Sequence, residues 1–381
     1  MASGFLRETL PRRLCYWYPI PRHATHVSRE PGRFFSTSII RAGWKPVATG
    51  MEVFRGLELQ KQLVAKTADP AATLRERLQA GTADLETARV CLDVYYEQLR
   101  KTSRIQRRQR IRDDDIGRLA LTWLWSEDRR WVRAITSDIL SLRRICYFVV
   151  AESLDDSLVE WLAQPLPPLA LGGSELRDSN QWRGVVLRLI VENHLFLDCD
   201  HRADEAIERF FSVVDRIVVA RREPRPSEGH TGLASVSLWP SQVAISKELV
   251  TGTYYNTNPD LYDRFVKFVG KDGHQTEYSS AQLALVHPTR PNAQPALSYV
   301  RTHMGALTQT DVEELFPRGS SVRRSMYFFL RKVNDAMLRQ KRTGDSDFLE
   351  QVVQNMFDQR ELADLDAKYQ REVALIKRGY R

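Results

Sequence analysis

The sequence predicts an all-α protein: an irregular helical bundle or a solenoid-like array of helix hairpins, preceded by a disordered presequence. Three observations carry that prediction. Apolar residues recur at steps of three and four through most of the chain. Residues that start and stop helices stand at the ends of those runs. The β-branched clusters from Val185 to Val191 and from Val213 to Val219 sit inside helical patterns and do not alternate as strands do.

Residues 1–35 are set apart by composition. They hold six arginines (Arg7, Arg12, Arg13, Arg22, Arg29, Arg33), no lysine and two acids, and run into Ser36, Thr37 and Ser38. Arginine-rich, hydroxyl-containing, acid-poor N-termini have the composition of mitochondrial transit peptides, so this segment is read as an import signal, removed near Phe35. The expected location is the mitochondrion, in the matrix or peripheral on the inner membrane.

The N-terminal helical region spans residues 36–163. Asp69 before Pro70 forms an N-cap with proline in the first turn, and Gly81 closes that short helix. Leu85, Ala88, Leu92, Tyr95 and Leu99 line one face of the next helix, which is expected to run on into the tract from Arg100 to Arg112. Trp131, Ile135, Ile139, Leu142, Cys146 and Val149 make another stripe, and Leu154, Leu158, Trp161 and Leu162 a shorter one. Residues 164–181, rich in proline and glycine, read as a linker.

A central helical hairpin is expected over residues 182–222 and a second linker over 223–240. The C-terminal helical domain, 241–381, opens with short helices punctuated by Pro240, Asn258 with Pro259, Pro288 and Asn292, and by a capping box from Thr310 to Glu313. It ends in two long helices. The first buries Val322, Met326, Phe329, Val333 and Met337; the second carries Phe348, Val352, Met356, Leu362, Leu365, Tyr369, Val373 and Ile376.

Charge narrows the choice of partners. The whole chain is +8, but residues 1–35 contribute +4, so the remainder carries only +4. That remainder is uneven. Arg100, Lys101, Arg104, Arg107, Arg108, Arg110 and Arg112 make one segment of +7, and the stretch from Arg318 to Arg342 makes another, which leaves −10 elsewhere. Two cationic surfaces on an acidic body suit a polyanion such as RNA, and equally an anionic inner-membrane surface. On the helix from Val322 to Arg342, Arg324, Arg331, Lys332 and Arg339 cluster opposite the apolar stripe with Phe328 among them. An aromatic inside a basic face is the arrangement by which single-stranded RNA is bound, cations meeting phosphate while the ring stacks on a base. The competing reading packs Phe328 against a neighbouring helix.

Catalytic motifs are not found. His194, Cys199 and His201, with Asp198, Asp200 and Asp204, form the best metal-like group, but their spacing fits no metal motif and lies at a helix-to-helix turn, where Asp and His commonly cap termini. Gly270 to Gly273 lacks the spacing of a phosphate loop. No cofactor is implied. The richest apolar run, Ile145 to Ala151, is seven residues, far below the roughly 20 needed to span a bilayer, so no transmembrane segment is expected. Four scattered cysteines suggest free thiols, not a disulfide framework.

The reading that follows is a non-catalytic mitochondrial matrix protein of organellar gene expression, either a component of the mitochondrial ribosome or an mRNA-binding factor for stability or translation. The alternative is an assembly or interaction factor for an inner-membrane respiratory complex.

Overall fold

The computed structural model describes residues 50–65, 68–125, 138–163, 173–198, 200–222, 233–271, 277–305, 307 and 309–377. The presequence 1–35, Cys199, Trp131, Ile135 and His274 lie outside them. The described residues form seventeen α-helices and one 3₁₀ turn, with no strand among them. The chain is all-α, and no described helix is long and apolar enough to cross a membrane.

The helices are α1 (Gly50–Val64), α2 (Pro70–Gln79), α3 (Leu85–Leu99), α4 (Arg104–Asp114), α5 (Ile116–Leu124), α6 (Ile139–Ala151), α7 (Asp155–Ala163), α8 (Gly173–Leu197) and α9 (Asp204–Arg222). They continue as α10 (Trp239–Leu249), α11 (Pro259–Lys271), α12 (Glu277–Leu285), α13 (Gln294–His303), α14 (Gln309–Leu315), α15 (Ser321–Arg339), α16 (Thr343–Met356) and α17 (Gln359–Lys377). Two compact units result. One holds the described residues up to 198 together with Glu208–Ala244; the other holds Asp200–Ile207 and the described residues from Ile245 onward.

In the first unit α3 packs against α1 and α2, while α6 lies between α5 and α8. Its core is built from the predicted stripes: Leu85, Ala88, Leu92, Tyr95 and Leu99 are all buried, as are Leu142, Cys146 and Val149. Ile139 is different. It opens α6, capped by Asp138, and is half exposed. Cys91 and Cys146 are buried free thiols, and burial pushes each up to about 12, so neither is a reactive thiolate. A close crossing fixes α5 against α6: a Cβ placed on Gly117 would stand 2.7 Å from the Phe148 carbonyl oxygen, so only glycine fits.

The second unit has its own core, in which α12 packs on α13 and on α15, and α15 on α16 and α17. Met326, Phe329, Val333 and Met337 are buried as expected.

Several boundaries differ from those the sequence suggested. The helix ending at Leu99 does not run into the arginine tract; α4 starts afresh at Arg104 behind Ser103. Helix α8 begins at Gly173, inside the segment read as a linker to residue 181. The last long helix is two, α16 and α17, parted where Phe357 takes an extended conformation and the Asp358 carboxylate accepts the Glu361 N–H. Thr310 lies within α14 and does not cap it.

One device recurs through both units. A helix C-terminus leaves carbonyl oxygens without intrahelical donors and carries partial negative charge. Here basic side chains from other helices supply the donors. Arg75 reaches the Asp114 carbonyl at the end of α4 (2.8 Å), and Arg183 the Leu162 carbonyl near the end of α7 (3.0 Å). Arg112 reaches Ala151 at the end of α6 (3.3 Å), and Lys332 reaches Val250 just past α10 (2.8 Å). Arg323, 2% exposed, donates to the carbonyls of Phe316 and Met356, just past α14 and at the end of α16, while its Nε meets Glu361 at 2.6 Å.

Candidate nucleic-acid interface

Residues 100–115 show how the first basic tract is divided between folding and surface. Helix α3 stops at Leu99, and Thr102 turns back to it, donating its hydroxyl to the Leu99 carbonyl at 2.7 Å. Ser103 and Gln106 form a reciprocal capping box, each side chain accepting the other's backbone N–H at 3.3 Å. Arg107 fastens the corner from inside: it donates to the carbonyls of Leu99 at 3.2 Å, Thr102 at 3.1 Å and Arg100 at 3.4 Å. On the inner side of α4, Ile111 is fully buried and the Tyr95 hydroxyl donates to Asp114 at 2.6 Å. Asp115, with φ 52, is the left-handed hinge into α5.

These contacts sort the tract. Arg107 and Arg112 close helix ends, and Arg100 pairs with Glu97 at 2.8 Å. Lys101 is exposed and Arg108 half-buried, neither with an ion pair among the described residues. Arg110 is exposed, lies 5.7 Å over the Tyr95 ring and is only loosely paired with Asp114 at 3.6 Å. The side chain of Arg104 is outside the described residues. Lys101 and Arg110 face a depression of about 390 Å³ completed by Ala68, Asp69, Pro70 and Gln98. Two cations, the Gln98 amide and the Asp69 carboxylate line this depression, which is open to solvent.

The second basic face is largely dispersed. Arg331 is bonded to the Tyr327 hydroxyl (2.8 Å), to Asp366 (3.1 Å) and to Glu350. Lys332 closes the end of α10. Phe328 is half-buried against the second core, its ring edge-on to Tyr369 of α17 at 5.4 Å, which is the packing alternative. Arg324 is exposed without an ion pair among the described residues. Arg339 is also exposed, with Nε on the Asp335 carbonyl at 3.1 Å. Fifteen residues of helix separate those two, about 22 Å along the axis. The face thus keeps two separated cations and no free ring.

Of the metal-like residues, His194, His201 and Asp204 are engaged with other partners. His194 Nε2 lies 3.1 Å from Asp155, which also holds Arg209 at 2.5 Å and is 2% exposed. The contacts with His194 and Arg209 hold the Asp155 carboxyl below its usual range, although burial acts against them. His201, with φ 58, bonds the Thr253 carbonyl and stacks on Tyr255. The Asp204 carboxylate accepts the Asn258 N–H. Among the described residues no three His, Cys, Asp or Glu side chains gather as metal ligands.

No known protein family matches this chain, nor does any curated protein or solved structure. What it does rests on its own residues.

Sequence reasoning did not separate closing arginines from surface ones. One signal was present: Ser103 followed three residues later by Gln106 is a capping box, and it marks α4 as a separate helix. His287 and His303, without obvious partners in the sequence, sit on Asp263 at 3.1 Å and Glu277 at 2.7 Å.

Proposed function

We propose that the chain is a non-catalytic, helical RNA-binding factor of mitochondrial gene expression, acting in the matrix, and that it contacts RNA at the α3–α4 corner. The observation that carries this reading is the arrangement at that corner. Arg107 locks the backbone, and Lys101 and Arg110 are left facing a depression open to solvent, with Arg108 nearby on the same helix. Cations that face an open surface and are not consumed by helix ends are the ones able to neutralise phosphate. In this reading the C-terminal helix α15 contributes Arg324 and Arg339 as secondary contacts, and Arg331, Lys332 and Phe328 serve the fold. Mitochondrial action rests on the composition of residues 1–35.

The test is fluorescence anisotropy of purified residues 36–381 with a labelled single-stranded RNA over a salt series. The expected result is binding at low salt that falls steeply as salt rises, because displaced counterions drive it. Absence of binding at low salt contradicts the proposal.

The internal use of Arg323, Arg331 and Lys332 favours a second reading, an assembly or interaction factor for an inner-membrane respiratory complex. Sedimentation after mild matrix extraction separates the two. Ribonuclease-sensitive co-migration with ribosomal subunits supports the RNA reading; recovery with membrane assembly intermediates supports the other.

A further inference from the structure

The corner that carries the cations also carries a hydroxyl in a recognisable setting. Ser103 is preceded by Arg100, Lys101 and Thr102 and followed by Arg104. Kinases of basic specificity select their acceptor by the cations on its N-terminal side, a charge pattern that acidic subsites read. Two hydroxyls stand in this segment, and the structure distinguishes them. Thr102 is half-buried with its hydroxyl proton donated to the Leu99 carbonyl at 2.7 Å. Ser103 is exposed, extended (φ −63, ψ 159), and its oxygen accepts a long 3.3 Å bond from the Gln106 N–H, with no acceptor for its own proton among the described residues. Its place as N-cap of α4 gives a phosphate there somewhere to go: the backbone N–H groups at the start of the first turn and the positive end of the helix dipole.

We infer that Ser103 is a phosphorylation site for a protein kinase of basic specificity, and that a phosphate there turns off the RNA contact of the same corner. This rests on the RNA reading of that corner. In the step itself the terminal phosphoryl group of a nucleoside triphosphate passes to Ser103 Oγ. The bond from the γ-phosphorus to the β,γ-bridging oxygen breaks, the Oγ–P bond forms, the hydroxyl proton passes to the kinase's base, and the nucleoside diphosphate leaves. The product adds about −1.5 to −2 charges. It stands two residues from Lys101 and on the same short helix as Arg108 and Arg110, the cations left for RNA. The helix is retained, since a dianion at its N-terminus stabilises it, while the surface changes sign.

The experiment uses the purified chain, the catalytic subunit of a basic-directed kinase and Mg–ATP, with peptide mass mapping followed by RNA anisotropy. RNA binding of the unmodified chain is measured first. The expected result is phosphate on Ser103, RNA affinity lowered by about tenfold or more at low salt, and recovery after phosphatase treatment. The control is Ser103→Asn, which keeps a good N-cap and removes the acceptor; it should bind RNA as the native chain does and resist the kinase. No phosphate on Ser103, or phosphate there with unchanged RNA binding, overturns the inference. An unmodified chain that binds no RNA overturns the RNA reading, and with it the switch, whereas the mass map still decides the modification by itself.

Discussion

The Arg107 guanidinium of α4 donates back across a tight corner to the carbonyl of Leu99, 3.2 Å away at the end of α3. The most central arginine of the most cationic tract therefore points inward, to a helix end. The same relation joins Arg112 to Ala151, Arg323 to Met356 and Lys332 to Val250. Much of the positive charge that looks like an invitation to polyanions balances the negative ends of helices inside the fold.

Arg107→Gln should lower stability by about 1 to 3 kcal/mol, since it strips donors from three carbonyls at the corner. Urea denaturation followed by circular dichroism measures this. A variant as stable as the native chain would show that the corner is held by the capping box alone.

A larger loss is expected at Arg323→Met. The side chain is buried, and removing it leaves Glu361 without its partner beside the orphaned carbonyls of Phe316 and Met356. Breaking a buried pair from one side costs about 3 to 5 kcal/mol. Arg323→Lys should rescue poorly, because one ammonium cannot reproduce a planar fork that serves a carboxylate and two carbonyls. Thermal unfolding of the two variants checks both statements.

Gly117→Ala places a Cβ 2.7 Å from the Phe148 carbonyl oxygen, which is backbone and cannot swing aside. Overpacking of that kind costs about 1 to 3 kcal/mol. Gly344→Ala, where a Cβ meets nothing within 4 Å, is the matched control and should be neutral or slightly stabilising. Equal stability of the two variants would contradict the tight α5–α6 crossing.

Glu152 gives a pH prediction. Its carboxylate accepts the backbone N–H groups of Gly117 at 2.5 Å and Arg118 at 3.0 Å, capping α5. Burial pushes it up from 4.5 to about 7, outweighing those two hydrogen bonds. Between these values the folded chain holds a proton that the unfolded chain has released, so this contribution is fully present below 4.5 and is lost as pH rises through about 7. Relative to Glu152→Gln, the native chain should therefore lose stability from about pH 5 to about pH 8. Denaturation midpoints of both proteins across that range test it, and a constant difference would mean that Glu152 titrates normally.

The all-α class and most of the core were legible because amphipathic spacing is a local property: Leu85 to Leu99 and Met326 to Met337 are buried as their periodicity requires. Where a helix stops was less legible. The break at Phe357 and the new start after Ser103 depend on one backbone conformation or one cap inside an otherwise continuous polar–apolar pattern. The fate of the arginines was not legible. The carbonyl that Arg112 closes is 39 residues away and the one that Lys332 closes is 82, so nothing near them in sequence marks them as structural. Phe328 shows the same limit, since its partner Tyr369 belongs to a different helix.

The division of the basic tract into closing and binding residues is tested most directly by RNA anisotropy over a salt series on two charge-reversed proteins. Lys101→Glu with Arg110→Glu should fold normally, bind RNA far more weakly and lower the salt slope by about 2, the loss of two phosphate contacts. Arg324→Glu with Arg339→Glu, on the separate α15 face, should change affinity much less. Unchanged RNA affinity and slope in the Lys101 and Arg110 variant would contradict the assignment of RNA contact to the α3–α4 corner.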